Sequence, residues 1–504
     1  MMTASKITSG ATLTSLLEGL AAGPLPDISI TGICLDSRKA RPGDLFLAFA
    51  GVNTSGVEYI RHAITSGVVA VAVEQGTAEN IFEKSIPVIP VKQLRENAGV
   101  IAARFFGNPS AAMNVIGITG TNGKTSVAWF VSRALASLRD NAAGSIGTLG
   151  TGTTNQITPG LNTTPDPVLL QKSLAEFVQQ GVLDTVIEVT SIGLDQFRIA
   201  GTELDIAVFT NLSPDHLDYH KGMDDYGAAK KKLFTDFGAS RAVINLDDPF
   251  GRQLALELRL ITEVYGYSVL EATGLEGVEK GSNLYATVSE FEKGMTICIT
   301  CPWGSGEVEV PICGRYNASN LLASLACLCL SGIPFTSAMT QLANLQPVPG
   351  RMEMFGGEKL PLIFVDYAHT PDALEKVLGV INQKQHKRVI CVFGCGGDRD
   401  KPKRSLMGAV AKKLSDVLII TDDNPRNEEP ENIINDIISG IHDLNDVLII
   451  NDRREAIRQA VHMASSGDVV LIAGKGHESY QERAGKRSPF CDQDEVRNIL
   501  GELP

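Results

Sequence analysis

Gly117-Ile-Thr-Gly-Thr-Asn-Gly-Lys-Thr125 is the stretch that decides the fold of this chain. An apolar run, Met113 to Ile118, comes before it, and a run of helical character, Ser126 to Leu138, follows. Strand, glycine-rich turn and helix together make a phosphate cradle, because backbone N–H groups and the helix N-terminus face the anion. The Gly-x-x-Gly-Lys-Thr spacing is shorter than the usual pattern, so a chance turn is the alternative. The flanking strand and helix favour a nucleotide site, with Lys124 on the β- and γ-phosphates and Thr125 on Mg²⁺.

Length and composition limit the class of protein. A chain of 504 residues is long enough for about three domains. Its content of 43% hydrophobic and 20% charged residues is ordinary for a globular enzyme. A net charge of −13 argues against a general nucleic-acid binder, although a local basic pocket can still hold an acidic ligand.

The cysteines and the N-terminus predict a cytoplasmic protein without membrane insertion. The nine cysteines are scattered, and the Cys298-x-x-Cys301 pair has no second pair nearby, so we expect buried, reduced thiols and no zinc. Residues 1–10 lack the apolar segment of a signal peptide. The most apolar run, Leu321 to Leu330, is too short to span a bilayer.

Breaks in the hydrophobic pattern divide the chain into three predicted units, residues 1–98, 99–348 and 349–504. The second boundary falls at Gln346-Pro-Val-Pro-Gly-Arg-Met-Glu353, which combines prolines and glycine. The first unit contains Asp36-Ser37-Arg38, and a simple turn closed by an Asp–Arg pair is the plain interpretation of that cluster.

Charged and polar side chains follow two buried strands of the central unit. Glu188 lies near the end of the first, and Asp215, His216, Asp218 and His220 come directly after the second. Ligands of parallel sheets bind beyond the carboxyl ends of the strands, which suits a Mg²⁺-associated carboxylate at Glu188. A helix-capping Asp with exposed His residues is the alternative for the second cluster. For the lysine run 230–232, periodicity alone predicts a solvated helix face.

The third unit alternates apolar strands with helices, as a parallel sheet covered on both faces requires. Polar segments follow four of its five strands, and we expect them to meet at one edge of the sheet. These segments are Asp366-Tyr-Ala-His-Thr-Pro-Asp372, Gly394-Cys-Gly-Gly-Asp-Arg-Asp-Lys-Pro-Lys-Arg404, Asp422-Asp-Asn-Pro-Arg426 and Gly474-Lys-Gly-His-Glu478.

Taken in order, the motifs resemble those of the Mur ligase family across all three units. They are GTNGKT, NTTPD, EVTS, NLSPDHLDYH, AAK, GRYNASN, PGRME, DYAHTPDALEK, GCGGDRDKPKR, DNPR and GKGHE. The resemblance implies an α/β fold of three domains: a substrate-binding N-terminal domain, a central P-loop-type parallel-sheet ATPase domain and a C-terminal Rossmann-like domain. It also implies an ATP-dependent, ADP-forming amide ligase of peptidoglycan precursor synthesis that works through an acyl phosphate. This chemistry relies on positioning and charge neutralisation.

Site roles follow from the resemblance position by position. Lys124, Lys230, His216 and Glu188 are implied to be catalytic. Thr125, Glu188, His216 and Lys230 are implied to hold two Mg²⁺ ions, with Lys230 carbamylated by CO₂, so the resemblance overrides the solvated-face interpretation for Lys230 alone. The implied ATP-binding residues are Gly120, Thr121, Asn122, Gly123, Lys124, Thr125, Ser126, Asn317, Arg351, Asp366 and His369.

Two further sets of residues are implied for the other substrates. Those for the UDP-N-acetylmuramoyl-L-alanyl-D-glutamate substrate are Leu35, Ser37, Val52, Asn53, Thr54, Asn162, Thr163, Thr164, Thr190, Ser191, Gln196 and Arg198. Those for meso-diaminopimelate are Arg399, Asp423, Asn424, Pro425, Arg426, Gly474 and Glu478. Arginines can fork onto the distal carboxylate of diaminopimelate and Glu478 can pair with its ammonium, whereas lysine lacks that carboxylate. We expect the protein to act as a monomer.

One departure from the family pattern and two rival functions stay open from the sequence. Relatives commonly read EVSSH where this chain has Glu188-Val-Thr-Ser-Ile192, so Ile192 replaces a His and Thr190 a Ser. A close rival is another ligase of the group, such as a D-alanyl-D-alanine-adding enzyme or a folylpolyglutamate synthetase, which DNPR with GKGHE disfavours. The distant rival is a nucleotide-binding scaffold without catalysis.

Overall fold

The computed structural model describes residues 11–21, 23–51, 55–76, 86–270, 282–291, 294–357 and 359–502. Val52, Asn53 and Thr54, expected in the uridine-nucleotide site, lie outside the described residues. No described helix is both long and apolar enough to cross a membrane.

The first unit is built on a four-stranded, fully parallel sheet in the order β3-β4-β5-β6. The buried side chains of α1 and α3 pack on this sheet in one core. The domain limit expected at residue 98 falls inside α3. The elements are β1 (Ala11–Thr12), α1 (Leu13–Leu17), β2 (Ser29–Ile30), β3 (Gly32–Cys34), β4 (Asp44–Ala48), α2 (Ile60–Thr65), β5 (Ala70–Glu74), β6 (Val88–Val91) and α3 (Leu94–Phe105).

The central unit contains an eleven-stranded sheet in the order β10-β9-β8-β11-β7-β12-β13-β14-β15-β16-β17. Its middle, from β8 to β15, is parallel, while the outer pairs on both flanks are antiparallel. Its elements are β7 (Asn114–Thr119), α4 (Lys124–Arg139), β8 (Gly144–Gly147), β9 (Gly150–Thr153), β10 (Gln156–Thr158), α5 (Pro167–Gln179), β11 (Asp184–Glu188), α6 (Ser191–Asp195), β12 (Leu204–Phe209), α7 (Met223–Thr235), β13 (Ala239–Asn245), α8 (Pro249–Leu258), β14 (Glu263–Ser268), β15 (Leu284–Phe291), β16 (Gly294–Cys301), β17 (Gly304–Val310), α9 (Arg315–Leu330) and α10 (Phe335–Ala343).

The third unit carries a six-stranded sheet in the order β18-β19-β23-β20-β21-β22, parallel except for β18. Its elements are β18 (Glu353–Gly356), β19 (Leu362–Asp366), α11 (Pro371–Asn382), β20 (Val389–Phe393), α12 (Pro402–Leu414), β21 (Val417–Ile420), α13 (Pro430–Ile438), β22 (Val447–Ile449), α14 (Arg453–Met463), β23 (Val469–Ala473), β24 (Tyr480–Arg483), β25 (Lys486–Pro489) and α15 (Asp492–Glu502).

Local sequence explains where several helices begin. Asp166 and Asp248 accept hydrogen bonds from backbone N–H groups of α5 and α8, and each is followed by a proline at the first helical position. Thr370 caps α11 in the same way. An acceptor side chain followed by proline satisfies free N–H groups and presets the helical φ angle.

The predicted α/β fold class is confirmed, and each of the five predicted strands of the third unit overlaps an observed one. All nine cysteines are free. Cys298 is exposed on β16, so the expectation that the thiols are buried is wrong for this residue.

Candidate active site

Two glycines of the phosphate loop allow its close approach to neighbouring elements. Gly120 has a φ of 147°, and a Cβ there would lie 1.8 Å from Thr210 Oγ1. Gly123 has a φ of 87°, and its Cβ would lie 2.4 Å from Asn320 Oδ1 on α9. No other residue type fits either position without moving its neighbours. The loop therefore presents bare backbone at the start of α4.

The ammonium of Lys124 folds back over this loop. Its Nζ donates hydrogen bonds of 2.8 Å to the carbonyl oxygens of Gly120 and Thr121. Burial lowers the pKa of Lys124, while the carboxylates of Glu188 and Asp215 oppose the shift. The cation thus lies where the loop and the helix N-terminus would meet a polyphosphate.

Glu188, at the end of β11, is the most densely bonded carboxylate of the loop region. The Thr125 hydroxyl donates to its Oε2 at 2.8 Å. Thr148 donates twice, from its backbone N–H to Oε1 at 2.8 Å and from its hydroxyl to Oε2 at 3.0 Å. Thr148 was not among the predicted site residues. The available signal was its place directly after β8, which lies beside β11 in the parallel sheet.

His216 and Lys230 lie close enough to Lys124 of the phosphate loop to interact with its charge. His216 has a φ of 54°, and its Nε2 is 3.6 Å from Asp215 Oδ2. Burial lowers the pKa of His216, and the charges of Lys124 and Lys230 act in the same direction. Asp215, by contrast, favours the protonated imidazole.

Lys230 is only 1% exposed, and its Nζ lies 4.2 Å from the centre of the Tyr226 ring. The solvated-face interpretation is therefore wrong for Lys230. Its pKa is well below the usual lysine value because of burial and, next, the charge of Lys124. Lys231 and Lys232 instead reach carboxylates of Glu257 and Asp195, at 2.5 and 3.0 Å.

Within the described residues, no group of three His, Cys, Asp or Glu side chains could by itself hold a metal ion. The Thr125 hydroxyl next to the Glu188 carboxylate nevertheless offers hard oxygen donors of the kind that Mg²⁺ prefers. This pair fits a Mg²⁺ site.

A cavity of about 260 Å³ lies between the central and third units, beside the phosphate loop. It brings together many of the residues expected around the nucleotide. These are Asn122, Gly123, Ser126, Asn317, Arg351, Asp366 and His369.

Arg351 reaches this cavity from the start of the third unit. Its Nη2 lies 3.4 Å from Thr125 Oγ1, and its guanidinium stacks 4.4 Å from the centre of the Tyr367 ring. Its Nε is buried without a hydrogen-bond partner among the described residues. An orphaned, charged N–H group next to a phosphate loop fits an anionic ligand.

The other third-unit residues of the cavity are fixed from within their own unit. Asp366 accepts hydrogen bonds of 2.7 Å from the backbone N–H groups of Met352 and Ala368, and burial raises its pKa. Burial lowers the pKa of His369 to about 4, so its imidazole is neutral at pH 7. Its Nδ1 lies 2.8 Å from the Tyr367 carbonyl oxygen.

Asp372 joins the third unit directly to the phosphate loop, and sequence reasoning did not select it. Its Oδ2 accepts hydrogen bonds from Asn122 Nδ2 at 3.0 Å and from Ser213 Oγ at 3.1 Å. Lys376, one turn along α11, pairs with the same oxygen at 2.9 Å.

A second cavity, of about 470 Å³, lies between the first and central units. It brings together five residues expected to bind the nucleotide-linked peptide, namely Leu35, Ser37, Asn162, Gln196 and Arg198. Asp36 and Arg38 form the plain ion pair anticipated for this turn, at 2.8 Å, yet both also line the cavity. Arg95 and Tyr59 line it as well and were not anticipated.

Hydroxyl groups link this cavity to Glu188. Thr164 Oγ1 donates to the Glu188 backbone carbonyl at 3.0 Å and lies 3.1 Å from Thr190 Oγ1. Thr163 Oγ1 lies 3.2 Å from Thr148 Oγ1. The expected substrate threonines therefore lie next to the expected metal carboxylate.

Ser191 begins α6, and its hydroxyl lies 2.9 Å from Nε2 of the buried His220. Ile192, where relatives have His, follows on the same short helix and is partly exposed.

The polar segments of the third unit meet at the carboxyl edge of its sheet, as predicted. Asn424 Nδ2 donates to Glu478 Oε2 at 2.8 Å. Asp423 lies close to Gly474, where a Cβ would approach Asp423 Oδ2 to 2.6 Å. Lys475, which was not anticipated, lies buried among these groups and bonds Glu478 Oε2 at 2.9 Å.

Arg426 adopts a φ of 52°, and its Nη1 donates to the Gly397 carbonyl oxygen at 2.7 Å. Gly397 N–H in turn donates to the Asn424 carbonyl oxygen at 2.9 Å, and a Cβ at Gly397 would lie 1.9 Å from the Pro425 carbonyl oxygen. Arg399 is exposed on the loop after β20, which also carries Gly397. The loop after β20 and the loop after β21 thus hold both expected arginines together.

Comparison with known proteins identifies the family. Three family models match: "Mur ligase family, catalytic domain" over residues 29–106, "Mur ligase middle domain" over 118–328 and "Mur ligase, glutamate ligase domain" over 350–476. A protein of Coxiella burnetii (strain RSA 493 / Nine Mile phase I), "UDP-N-acetylmuramoyl-L-alanyl-D-glutamate--2,6-diaminopimelate ligase", is 44% identical over 491 residues, 97% of this chain and 100% of the relative. The chain belongs to the Mur ligase family.

Other relatives agree with this membership. A Chromobacterium violaceum protein of the same name is 46% identical over 478 residues, covering 93% of this Mur ligase and 94% of the relative. A solved structure of a UDP-N-acetylmuramoyl-L-alanyl-D-glutamate--2,6-diaminopimelate ligase superposes with a TM-score of 0.69 at 33% identity, covering 98% and 99% of the two chains. The three-domain Mur ligase architecture expected from the sequence is confirmed.

Proposed function

We propose that this Mur ligase joins meso-diaminopimelate to UDP-N-acetylmuramoyl-L-alanyl-D-glutamate with the cleavage of ATP to ADP, in peptidoglycan precursor synthesis. The choice of amino acid rests on one observation, the side-chain cluster at the carboxyl edge of the third unit's sheet. There Asn424 is bonded to Glu478, and Arg426, two residues further along the same loop as Asn424, is bonded to Gly397. A distal group bearing both a carboxylate and an ammonium requires such a pairing of cation and anion. The names of the full-length relatives agree with this substrate.

The phosphate-loop residues supply the nucleotide part of this function. Lys124, the loop N–H groups and Arg351 bind and orient the phosphates of ATP in the cavity between the units. The γ-phosphoryl group passes to the terminal glutamyl carboxylate, an acyl phosphate forms, and the amine of diaminopimelate replaces phosphate at the acyl carbon. Positioning and charge neutralisation carry such a reaction.

We assign the metal to the side of the loop formed by Thr125, Glu188, His216 and Lys230. Mg²⁺, as two ions, would neutralise charge developing on the transferred phosphoryl oxygens. A lysine carbamate requires an unprotonated amine, and the lowered pKa of Lys230 meets that requirement. Carbamylation turns this buried amine into an anion able to hold a cation beside Lys124.

The remaining expected residues fall into two substrate sites. The UDP-N-acetylmuramoyl-dipeptide occupies the cavity of the first and central units, with its peptide end directed to the hydroxyls around Glu188. Diaminopimelate binds at the carboxyl edge of the third unit's sheet. The three domains are residues 1–98, 99–348 and 349–504. We further propose that the protein acts in the cytoplasm as a monomer, which light scattering of the purified enzyme tests.

The deciding experiment measures ADP release with ATP, Mg²⁺ and the UDP-linked dipeptide, offering diaminopimelate, lysine or D-alanyl-D-alanine. We expect ADP release and tripeptide product with diaminopimelate and a preference of about 10⁴ over lysine, because lysine leaves arginines unpaired. Preference for another amino acid would contradict the substrate assignment. No ADP release with any acceptor would instead support a catalytically inactive nucleotide binder.

A further inference from the structure

Lys475 is a fully buried cation to which the proposed reaction assigns no role. Its side chain has no exposed surface and reaches the sheet edge from the loop after β23. A buried ammonium is costly unless charged and polar acceptors surround it. Its surroundings therefore indicate what it does.

The Lys475 ammonium touches three of the residues assigned to diaminopimelate. Its Nζ donates to Glu478 Oε2 at 2.9 Å and to Asn424 Oδ1 at 3.1 Å, and it lies 3.6 Å from Asp423 Oδ1. Each of these acceptors is a polar atom on the residues that line the edge of the sheet. The buried Lys475 therefore links these three residues to one another.

These contacts fix the orientation of the Asn424 amide. Its Oδ1 accepts from both Lys475 Nζ and the backbone N–H of Glu482, the latter at 2.9 Å. Two donors on one atom identify that atom as the oxygen, so Nδ2 must face Glu478 Oε2, where it donates at 2.8 Å. Glu478 Oε2 therefore has two protein donors, which leaves Oε1 to receive a ligand ammonium.

Lys475 also offsets part of the negative charge of Asp423 and Glu478. The carboxylates of Asp423 and Glu478 carry two negative charges, and Lys475 reduces their sum to one. The one negative charge that remains on these two carboxylates can pair with the single ammonium at the distal end of the amino acid. Without Lys475, the two carboxylates would lose the ammonium that they share, and their like charges would repel.

We propose that Lys475 is a positioning residue that holds Asn424 and Glu478 in the geometry that captures the incoming amino acid. The proposal rests on the proposed function. It assigns Lys475 to the second half of the reaction, the attack of the amine, and not to formation of the acyl phosphate, which takes place at the phosphate loop.

The test separates the two halves with hydroxylamine, which attacks the acyl carbon, releases phosphate and yields a hydroxamate without the amino acid. We expect Lys475→Met to leave hydroxylamine-dependent ADP release within about twofold of wild type while raising the KM for diaminopimelate at least tenfold, the effect of losing charge-assisted hydrogen bonds. Lys475→Arg should have a KM for diaminopimelate between those of Lys475→Met and wild type. Lys486→Met, an exposed lysine of the same unit, is the matched control and should change neither rate.

A double-mutant cycle with Glu478→Gln checks that Lys475 acts through Glu478, because coupled residues give less than additive losses. An unchanged KM for diaminopimelate in Lys475→Met would overturn the proposal. Parallel loss of the hydroxylamine reaction would also overturn it, since that loss marks a general structural role. A wild-type enzyme active with hydroxylamine but not with diaminopimelate would instead refute the proposed function.

Discussion

Replacing Thr148 by Val removes one of the three hydrogen bonds that hold the Glu188 carboxylate, and the side chain keeps its shape. The donors are the hydroxyl of Thr125 at 2.8 Å and the N–H and hydroxyl of Thr148 at 2.8 and 3.0 Å, so the variant keeps two. A hydrogen bond to a charged group contributes about 1.5–3 kcal/mol. At about 1.4 kcal/mol per tenfold change, the loss corresponds to a factor of about 10 to 100.

We expect this factor as a rise in the Mg²⁺ concentration that gives half-maximal ADP release, because residues that orient a metal ligand typically change metal affinity by about 10- to 100-fold. Thr148→Ser keeps the hydroxyl and should behave like wild type. Thr163→Val removes the other hydroxyl beside Thr148 and should alter the KM for the UDP-linked dipeptide without this Mg²⁺ effect. A Thr148→Val enzyme with the wild-type Mg²⁺ dependence would show that Thr148 does not orient Glu188 toward the metal.

Three further predictions follow from single sites. Lys230→Ala should be inactive and regain activity with added short carboxylates that stand in for the carbamate; full activity, or no rescue, would contradict that assignment. Gly123→Ala should raise the KM for ATP at least about tenfold, since a φ of 87° and a Cβ 2.4 Å from Asn320 Oδ1 displace the loop; an unchanged KM would argue against it. The Arg404 guanidinium lowers the pKa of Glu428 to about 2. The ionised carboxylate therefore stabilises the fold above pH 4.5 and loses this effect as the pH falls toward 2. The free energy of unfolding in urea should be higher for wild type than for Glu428→Gln by at most about 3 kcal/mol, and this difference should shrink over that pH range. A difference that stays constant with pH would refute the linkage.

Features that depend on neighbouring residues were predictable. The phosphate loop lies within nine consecutive residues, 117–125, and its glycines carry the conformations that the turn requires. Glu188 lies at the end of its strand, as predicted, and a polar residue that ends an apolar strand marks the ligand edge of a parallel sheet. The polar segments of the third unit were found for the same reason.

Residues that act through distant partners were missed. Thr148 is 40 positions from Glu188, and nothing in its own surroundings marks it. Asp372 lies 250 positions from Asn122, and a single acidic residue in the first turn of a helix ordinarily indicates favourable interaction with the helix dipole. The periodicity of the lysine run gave no sign that Lys230 alone is buried.

The phosphate loop and the charged loops at the edge of the third unit's sheet could be predicted from the amino-acid sequence alone, because turn geometry and strand alternation are local properties of the chain. The side chains that donate hydrogen bonds to one carboxylate could be identified only from the tertiary structure. It brought Thr148 to Glu188 and buried Lys230 and Lys475, because contacts across a sheet depend on strand order and register. The loop that begins at Gly117 therefore supplies the anion-binding backbone, and residues distant in sequence supply the charges around it.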